Sequence, residues 1–124
     1  MNSRQKGARG ERMWRDVILR AGFYAIRGCQ NSGGQDSPDV ICNIPVHFEV
    51  KFVEKLNIHN AMAQAVRDNG NSGKIPAVAH KKSREEWLVT MNADDFFRIL
   101  RQEVDIDITE ETTTPPQKGG AYNE

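Results

Sequence analysis

Asp39, Glu49 and Lys51 are the residues of this chain whose types and spacing best suit chemistry. Asp39 follows Pro38 at the start of a short apolar run, and Glu49-Val50-Lys51 lies in a second run that a hairpin turn brings back beside the first. In a strand, successive side chains alternate faces, so Glu49 and Lys51 share one face while Phe48, Val50 and Phe52 share the other. Two carboxylates converging near a lysine make a hard-oxygen site suited to Mg²⁺, with the ammonium close to a water on the metal. The commonplace alternative is a cross-strand salt bridge on a solvated face. Glu-x-Lys alone does not separate the two readings. The Pro-Asp that precedes it, the hairpin spacing and the apolar opposite face favour the chemical one.

These residues need a scaffold, and the chain reads as one α/β domain over residues 1–102. Val40-Ile41-Cys42, a break at Asn43-Ile44-Pro45, and a run from Val46 to Val53 form the hairpin. Before it, Ser3 to Ala21 reads as an amphipathic helix with Met13, Trp14, Val17, Ile18 and Ala21 on one side. Glu11 falls at the border of that stripe. On helix geometry alone it reads as an exposed acid pairing with Arg15 at i+4, worth ~0.3 kcal/mol. Gly22 ends the helix, and Phe23 to Gly28 reads as the first strand. Residues 30–35, Gln-Asn-Ser-Gly-Gly-Gln, form a polar loop whose glycines let backbone approach a ligand and offer N–H groups to a phosphate.

After the hairpin, Ile58, Ala61, Met62, Ala65 and Val66 recur at helical spacing up to Asn69-Gly70. Gln64 lies off that stripe, either solvated or directed at a ligand. Lys74 to Lys81 and Glu86 to Met91 read as the fourth and fifth strands, joined by the basic turn Lys81-Lys82-Ser83-Arg84. Asn92 is placed to cap a last helix, Ala93 to Gln102, with Phe96, Phe97 and Leu100 supplying packing. Residues 103–124 carry acids, threonines and Pro115-Pro116 without periodicity, and read as a disordered tail.

The formal net charge is zero, which conceals an asymmetry. Residues 103–124 hold six acids and one lysine, whereas residues 1–102 hold sixteen bases and eleven acids, giving −5 against +5. The folded part is therefore a basic surface with an acidic tail. Neither of the two cysteines, Cys29 and Cys42, belongs to a C-x-x-C pair, as expected for a reduced cytoplasmic protein. No apolar run reaches membrane-spanning length, and no leader-like apolar stretch opens the chain.

Pro38-Asp39 followed by Glu49-Val50-Lys51 resembles the PD-(D/E)XK nuclease motif. The wider pattern resembles the archaeal-type Holliday junction resolvase branch of that superfamily and its small phage-encoded relatives. Lys6-Gly7 before Glu11-Arg12, Gly22-Phe23 leading to Arg27, Ser32-Gly33 before Pro38-Asp39, and the strand Ile75 to Lys81 carry that likeness over roughly residues 6–100. The resemblance implies a restriction-endonuclease-like mixed β-sheet of about five strands flanked by helices. It implies metal-assisted phosphodiester hydrolysis, with Asp39, Glu49 and the Val50 carbonyl holding Mg²⁺ (Mn²⁺ substituting) and Lys51 placing the attacking water. Glu11 would help hold the metal, against its bland reading as a surface acid. Lys6, Arg9, Arg27, Ser32, Gly33, Lys81, Lys82 and Arg84 would contact the DNA backbone. A resolvase cuts two strands symmetrically, so a homodimer acting on a four-way junction is implied. The basic turn, the Asn69–Gly73 segment and the acidic tail have no counterpart in this resemblance.

Overall fold

A computed structural model describes residues 3–28 and 40–103 of the chain. The elements are α1 (Ser3–Arg20), β1 (Ala25–Arg27), β2 (Val40–Cys42), β3 (Val46–Phe52), α2 (Ile58–Asn69), β4 (Ile75–Lys81), β5 (Leu88–Met91) and α3 (Ala93–Leu100). Their order matches the sequence reading, with some ends trimmed by one or two residues. The proposed catalytic Asp39, the loop with Ser32 and Gly33, Cys29, and residues 104–124 of the acidic segment lie outside the described residues.

The five strands form one sheet in the order β1-β2-β3-β4-β5, antiparallel except for the central β3–β4 pair. A parallel pair needs a crossover, which α2 supplies. Helices then cover both faces of the central strands, and β4 accordingly reads as a largely apolar run, whereas β3 keeps His47, Glu49 and Lys51 on one face. Ile75, Ala77, Val78 and Ala79 of β4 are fully buried. On one face Trp14 and Ile18 of α1 pack on Val46, Phe48, Val50, Ala77 and Ala79. The Trp14 ring meets Phe48 edge-on at 5.1 Å and Trp87 at the same distance. On the other face Ala61, Met62 and Ala65 of α2 cover Val78.

Local signals set the helix ends. Asn57 caps α2, its side chain accepting from the Asn60 N–H at 3.0 Å, and Gly70 closes it at φ 55°. Asn92 starts α3 through its backbone carbonyl, without the side-chain cap expected of it. Ala21 and Val66, assigned to apolar stripes from periodicity, are exposed. Ala21 falls just past the end of α1, and Val66 sits at the far border of the α2 stripe, about 100° on from Ala65. The packing expected of Phe96, Phe97 and Leu100 is also corrected: no residue of α3 is buried. Among the described residues no helix is long and apolar enough to cross a membrane.

Helix α1 crosses the end of β3 at Gly10, where an added Cβ would stand 2.7 Å from Phe52 Cβ. Both atoms are anchored to backbone, so the contact cannot relax by turning a side chain. Gly7, three residues earlier, has nothing within 4 Å. Alanine at a helix-interior glycine gains about 1 kcal/mol of propensity, whereas overpacking costs about 1–3 kcal/mol. Gly7→Ala should therefore stabilise by up to about 1 kcal/mol, and Gly10→Ala should destabilise by a similar amount. Urea unfolding of the two variants checks this, and equal shifts would show that α1 does not close on Phe52.

Candidate active site

Glu49 sits in the middle of β3 with 4% of its surface exposed, and its Oε2 lies 3.4 Å from Lys51 Nζ. Glu49 registers with Val78 and Lys51 with His80 on β4. Since Val78 belongs to the cluster beneath α2, the Glu49–Lys51 pair lies on the α2 face, opposite Phe48 and Val50. The solvated-face salt bridge is thereby excluded for Glu49. Burying a carboxylate costs several kcal/mol unless charge and hydrogen bonds compensate it. An acid in a parallel central strand is a costly choice on stability grounds alone.

The β2–β3 ladder registers Val40 with Phe48, and β3 then continues through Glu49–Phe52 alongside β4. The last registered pair of β1 and β2 is Arg27 with Val40, at the same end of the hairpin. There Glu11, 9% exposed, accepts from Arg27, with Nη2 at 3.2 Å and Nε at 3.3 Å from its Oε1. The expected pairing of Glu11 with Arg15 is corrected, because Arg15 turns to Asp16 at 3.0 Å. Glu11 looks inward because α1 lies over the sheet with Trp14 and Ile18 on its buried side, one turn from Glu11.

A second cluster forms where α1 crosses Phe52. Lys6 Nζ, Arg9 Cζ and Lys81 Nζ stand 4.9, 5.6 and 5.8 Å from the centre of the Phe52 ring, all within cation–π range. Arg9 is exposed, while Lys6 also bonds Glu54 at 3.3 Å. Glu54 accepts from Ser83 N–H at 3.0 Å and Ser83 Oγ at 2.6 Å, fastening the basic turn to α1. These bonds from Ser83, then Lys6, hold the Glu54 carboxyl down at about 2. Lys81 folds its ammonium onto the carbonyls of Lys82 and Glu85, which leaves Lys82 and Arg84 as the exposed bases of the turn. Arg84 holds a left-handed φ of 68° at its tip.

Glu54 and His80 are the residues that sequence reasoning missed. His80 stands across from Lys51 on the same face, and its Nε2 lies 2.8 Å from Thr90 Oγ1. Burial pushes its pKa below the ordinary imidazole value. The alternation of Ile75–Lys81 shows that His80 shares a face with Val78, but only the parallel register sets it beside Lys51. A cavity of about 350 Å³ opens at the carboxyl ends of β3 and β4, lined by Val53, Glu54, Leu56, Ile58, His80, Lys81 and the segment after them. Gln64 is half-buried, three residues from Ala61 and adjacent to Ala65, and so flanks the buried stripe instead of standing off it.

Among the described residues no three His, Cys, Asp or Glu side chains gather as a metal cage, and Asp39 lies outside them. The donor chemistry nevertheless suits a hard cation: Glu49 is an acceptor-only oxygen ligand held rigidly in a central strand.

Residues 2–120 match the family described as "Phage putative PDDEXK endonuclease". The chain belongs to this PDDEXK endonuclease family. It is also similar to the solved structure of Hjc from Archaeoglobus fulgidus, a Holliday junction resolvase from an archaeal hyperthermophile. That match has TM-score 0.55 and 26% identity, and it covers 67% of this chain and 73% of that one. No curated protein sequence matches the chain. The five-stranded mixed sheet with helices on both faces is thus the restriction-endonuclease-like fold. Glu49-Val50-Lys51 has the form of the (D/E)XK part of the signature named in the family's description, and Pro38-Asp39 the form of the PD part.

Proposed function

We propose that this nuclease hydrolyses phosphodiester bonds in branched DNA, a four-way junction above all, using Mg²⁺ or Mn²⁺. The observation that carries the reading is the buried Glu49 with Lys51 at 3.4 Å, where β3 runs on past β2. Asp39 immediately precedes Val40, whose partner is Phe48, so a hairpin continued by one residue would bring Asp39 opposite Glu49. Asp39, Glu49 and the Val50 carbonyl would hold the metal, and Glu11, steadied by Arg27, would complete the shell of a second ion or its waters. When bound, the metal supplies Lewis-acid neutralisation of the scissile phosphate and makes water a better nucleophile. Glu49 fixes the position of that charge because its strand is locked between β4 and α2. Lys51 orients the attacking water and offsets negative charge building on the phosphate.

The backbone of the DNA would lie along Arg9, Lys6 and Lys81 over Phe52, with Lys82 and Arg84 reaching further strand and Arg27 completing the row. Ser32 and Gly33 would add backbone donors. Affinity should then fall steeply with salt, and recognition should follow DNA shape, since phosphate contacts carry no base information. Gln64, flanking the α2 stripe, is the remaining polar candidate on the Glu49 face. The family's phage membership favours action in the cytoplasm of an infected cell. Two strands cut symmetrically by one-site domains call for a homodimer.

The test is cleavage of a four-way junction beside duplex and flap DNA with Mg²⁺, run with Asp39→Asn as control. Preferential, paired cutting of the junction is expected. Equal cutting of all three would keep the chemistry and replace the substrate with nicks, flaps or restriction-like sites. Tight DNA binding without cleavage under any divalent metal would make this a DNA-binding module on a nuclease scaffold.

A further inference from the structure

Lys51, His80 and Leu88 form one row across β3, β4 and β5, because the registers pair Lys51 with His80 and His80 with Leu88. Registered neighbours share a face, so the row lies on the α2 side of the sheet with Glu49. Adjacent strands stand about 4.8 Å apart, which puts His80 one strand from Lys51 and Leu88 two. His80 and Leu88 line the cavity at the carboxyl ends of β3 and β4, together with Leu56 and Ile58 at the start of α2. Leu88 keeps 59% of its surface in water on that wall, and Thr90 holds the His80 ring at 2.8 Å. Charge is divided around the opening. Three carboxylates, of Glu54, Glu85 and Glu86, line it against two lysines, so its interior repels a phosphate. Just outside, the cations around Phe52 attract one, and Lys81 belongs to both settings. A nucleotide is divided in the same way, into a flat uncharged base and a charged phosphate.

Resting on the proposed nuclease reading, we infer that this cavity receives one unpaired nucleobase of the DNA, next to a phosphate held over Phe52. Its volume of about 350 Å³ is at the low end for ligand pockets, about 300–1,000 Å³, which suits a single ring system. The aliphatic walls of Leu56, Ile58 and Leu88 offer contact to the face of a base, and every base has such a face. Glu85 and Glu86 on the lining accept N–H groups from its edge, as acids do from the amino group of cytosine. A base enters only by leaving its stack, and that costs least where pairing is already broken. The cavity therefore selects DNA with a loosened branch over continuous duplex, a choice that phosphate contacts alone do not make.

The test uses 2-aminopurine, a base whose fluorescence is quenched by stacking, at the branch of a four-way junction, either unpaired or paired with thymine. In Ca²⁺, anisotropy should show the junction with the unpaired base bound about tenfold more tightly. Its fluorescence should rise on binding, since no Trp, Tyr or Phe is among the residues lining the cavity. Leu88→Glu should abolish both the preference and the rise, with the thermal midpoint little changed because this side chain is exposed. Val89→Glu sets the same charge on the opposite face of β5 and should keep both. A junction that is bound and cut while its 2-aminopurine stays as dim as in free DNA overturns the pocket and leaves the proposed function standing. So does a Leu88→Glu protein that keeps both signals, and either result would leave the cavity to an apolar side chain of a partner protein. No binding to any DNA overturns the pocket and the nuclease substrate together.

Discussion

Asp39→Ala is expected to abolish cleavage, by about 10³-fold or more, while DNA binding changes little. Metal coordination offsets several kcal/mol of charge in the transition state, and each ~1.4 kcal/mol is a factor of ten. Losing one of two carboxylate ligands should forfeit most of that, because Glu49 is held by its strand and cannot shift to compensate. The phosphate contacts proposed for Arg9, Lys82 and Arg84 would not depend on Asp39, so affinity in the absence of cleavage should persist. Binding measured by fluorescence anisotropy in Ca²⁺ and cleavage measured in Mg²⁺ separate the two effects. Full wild-type activity in excess EDTA, or an Asp39→Ala enzyme cutting at more than a tenth of the normal rate, would remove the metal site as assigned.

Lys51→Arg should fold and bind DNA but cut about 10²-fold more slowly, the scale of losing one transition-state donor. If the ammonium served only to offset Glu49, any cation would do. Catalysis needs a compact charge at the nucleophilic water, which a planar guanidinium does not reproduce. Lys51→Met sharpens the distinction through stability. Glu49 is 5% exposed at its side chain and Lys51 29%, so removing the lysine takes a compensating charge from a buried carboxylate. Breaking a fully buried pair costs about 3–5 kcal/mol, and the part-exposed lysine reduces this to about 1–3 kcal/mol. Saturating Mg²⁺ should restore much of it, because a ligand that binds only the folded state stabilises by mass action. Chemical denaturation with and without metal measures this. A Lys51→Arg enzyme at near wild-type rate would make Lys51 a structural counter-ion.

Much of this protein is legible in its amino-acid sequence. Element order follows from periodicity, because a run such as Ile75–Lys81 between a helix-ending glycine and a basic turn has few other ways to be buried. The pairing of Glu49 with Lys51 follows from strand alternation, which leaves them on one side whatever surrounds them. Family membership is written in Pro38-Asp39 and Glu49-Val50-Lys51 and agrees with the family match.

Tertiary structure decided what lies beyond one element's reach. Local pattern cannot tell whether the polar face of β3 meets water or α2, and only the crossover to a parallel β4 turned Glu49 from a surface acid into a buried one. Glu11 took Arg27, sixteen residues away, over Arg15 one turn off, because α1 lies across the sheet with that side inward. His80 reached Lys51 through register alone. The α3 residues Phe96, Phe97 and Leu100 show the reverse case: amphipathic spacing specified an apolar face but not what covers it, since burial is a property of neighbours and none of the described ones buries that face.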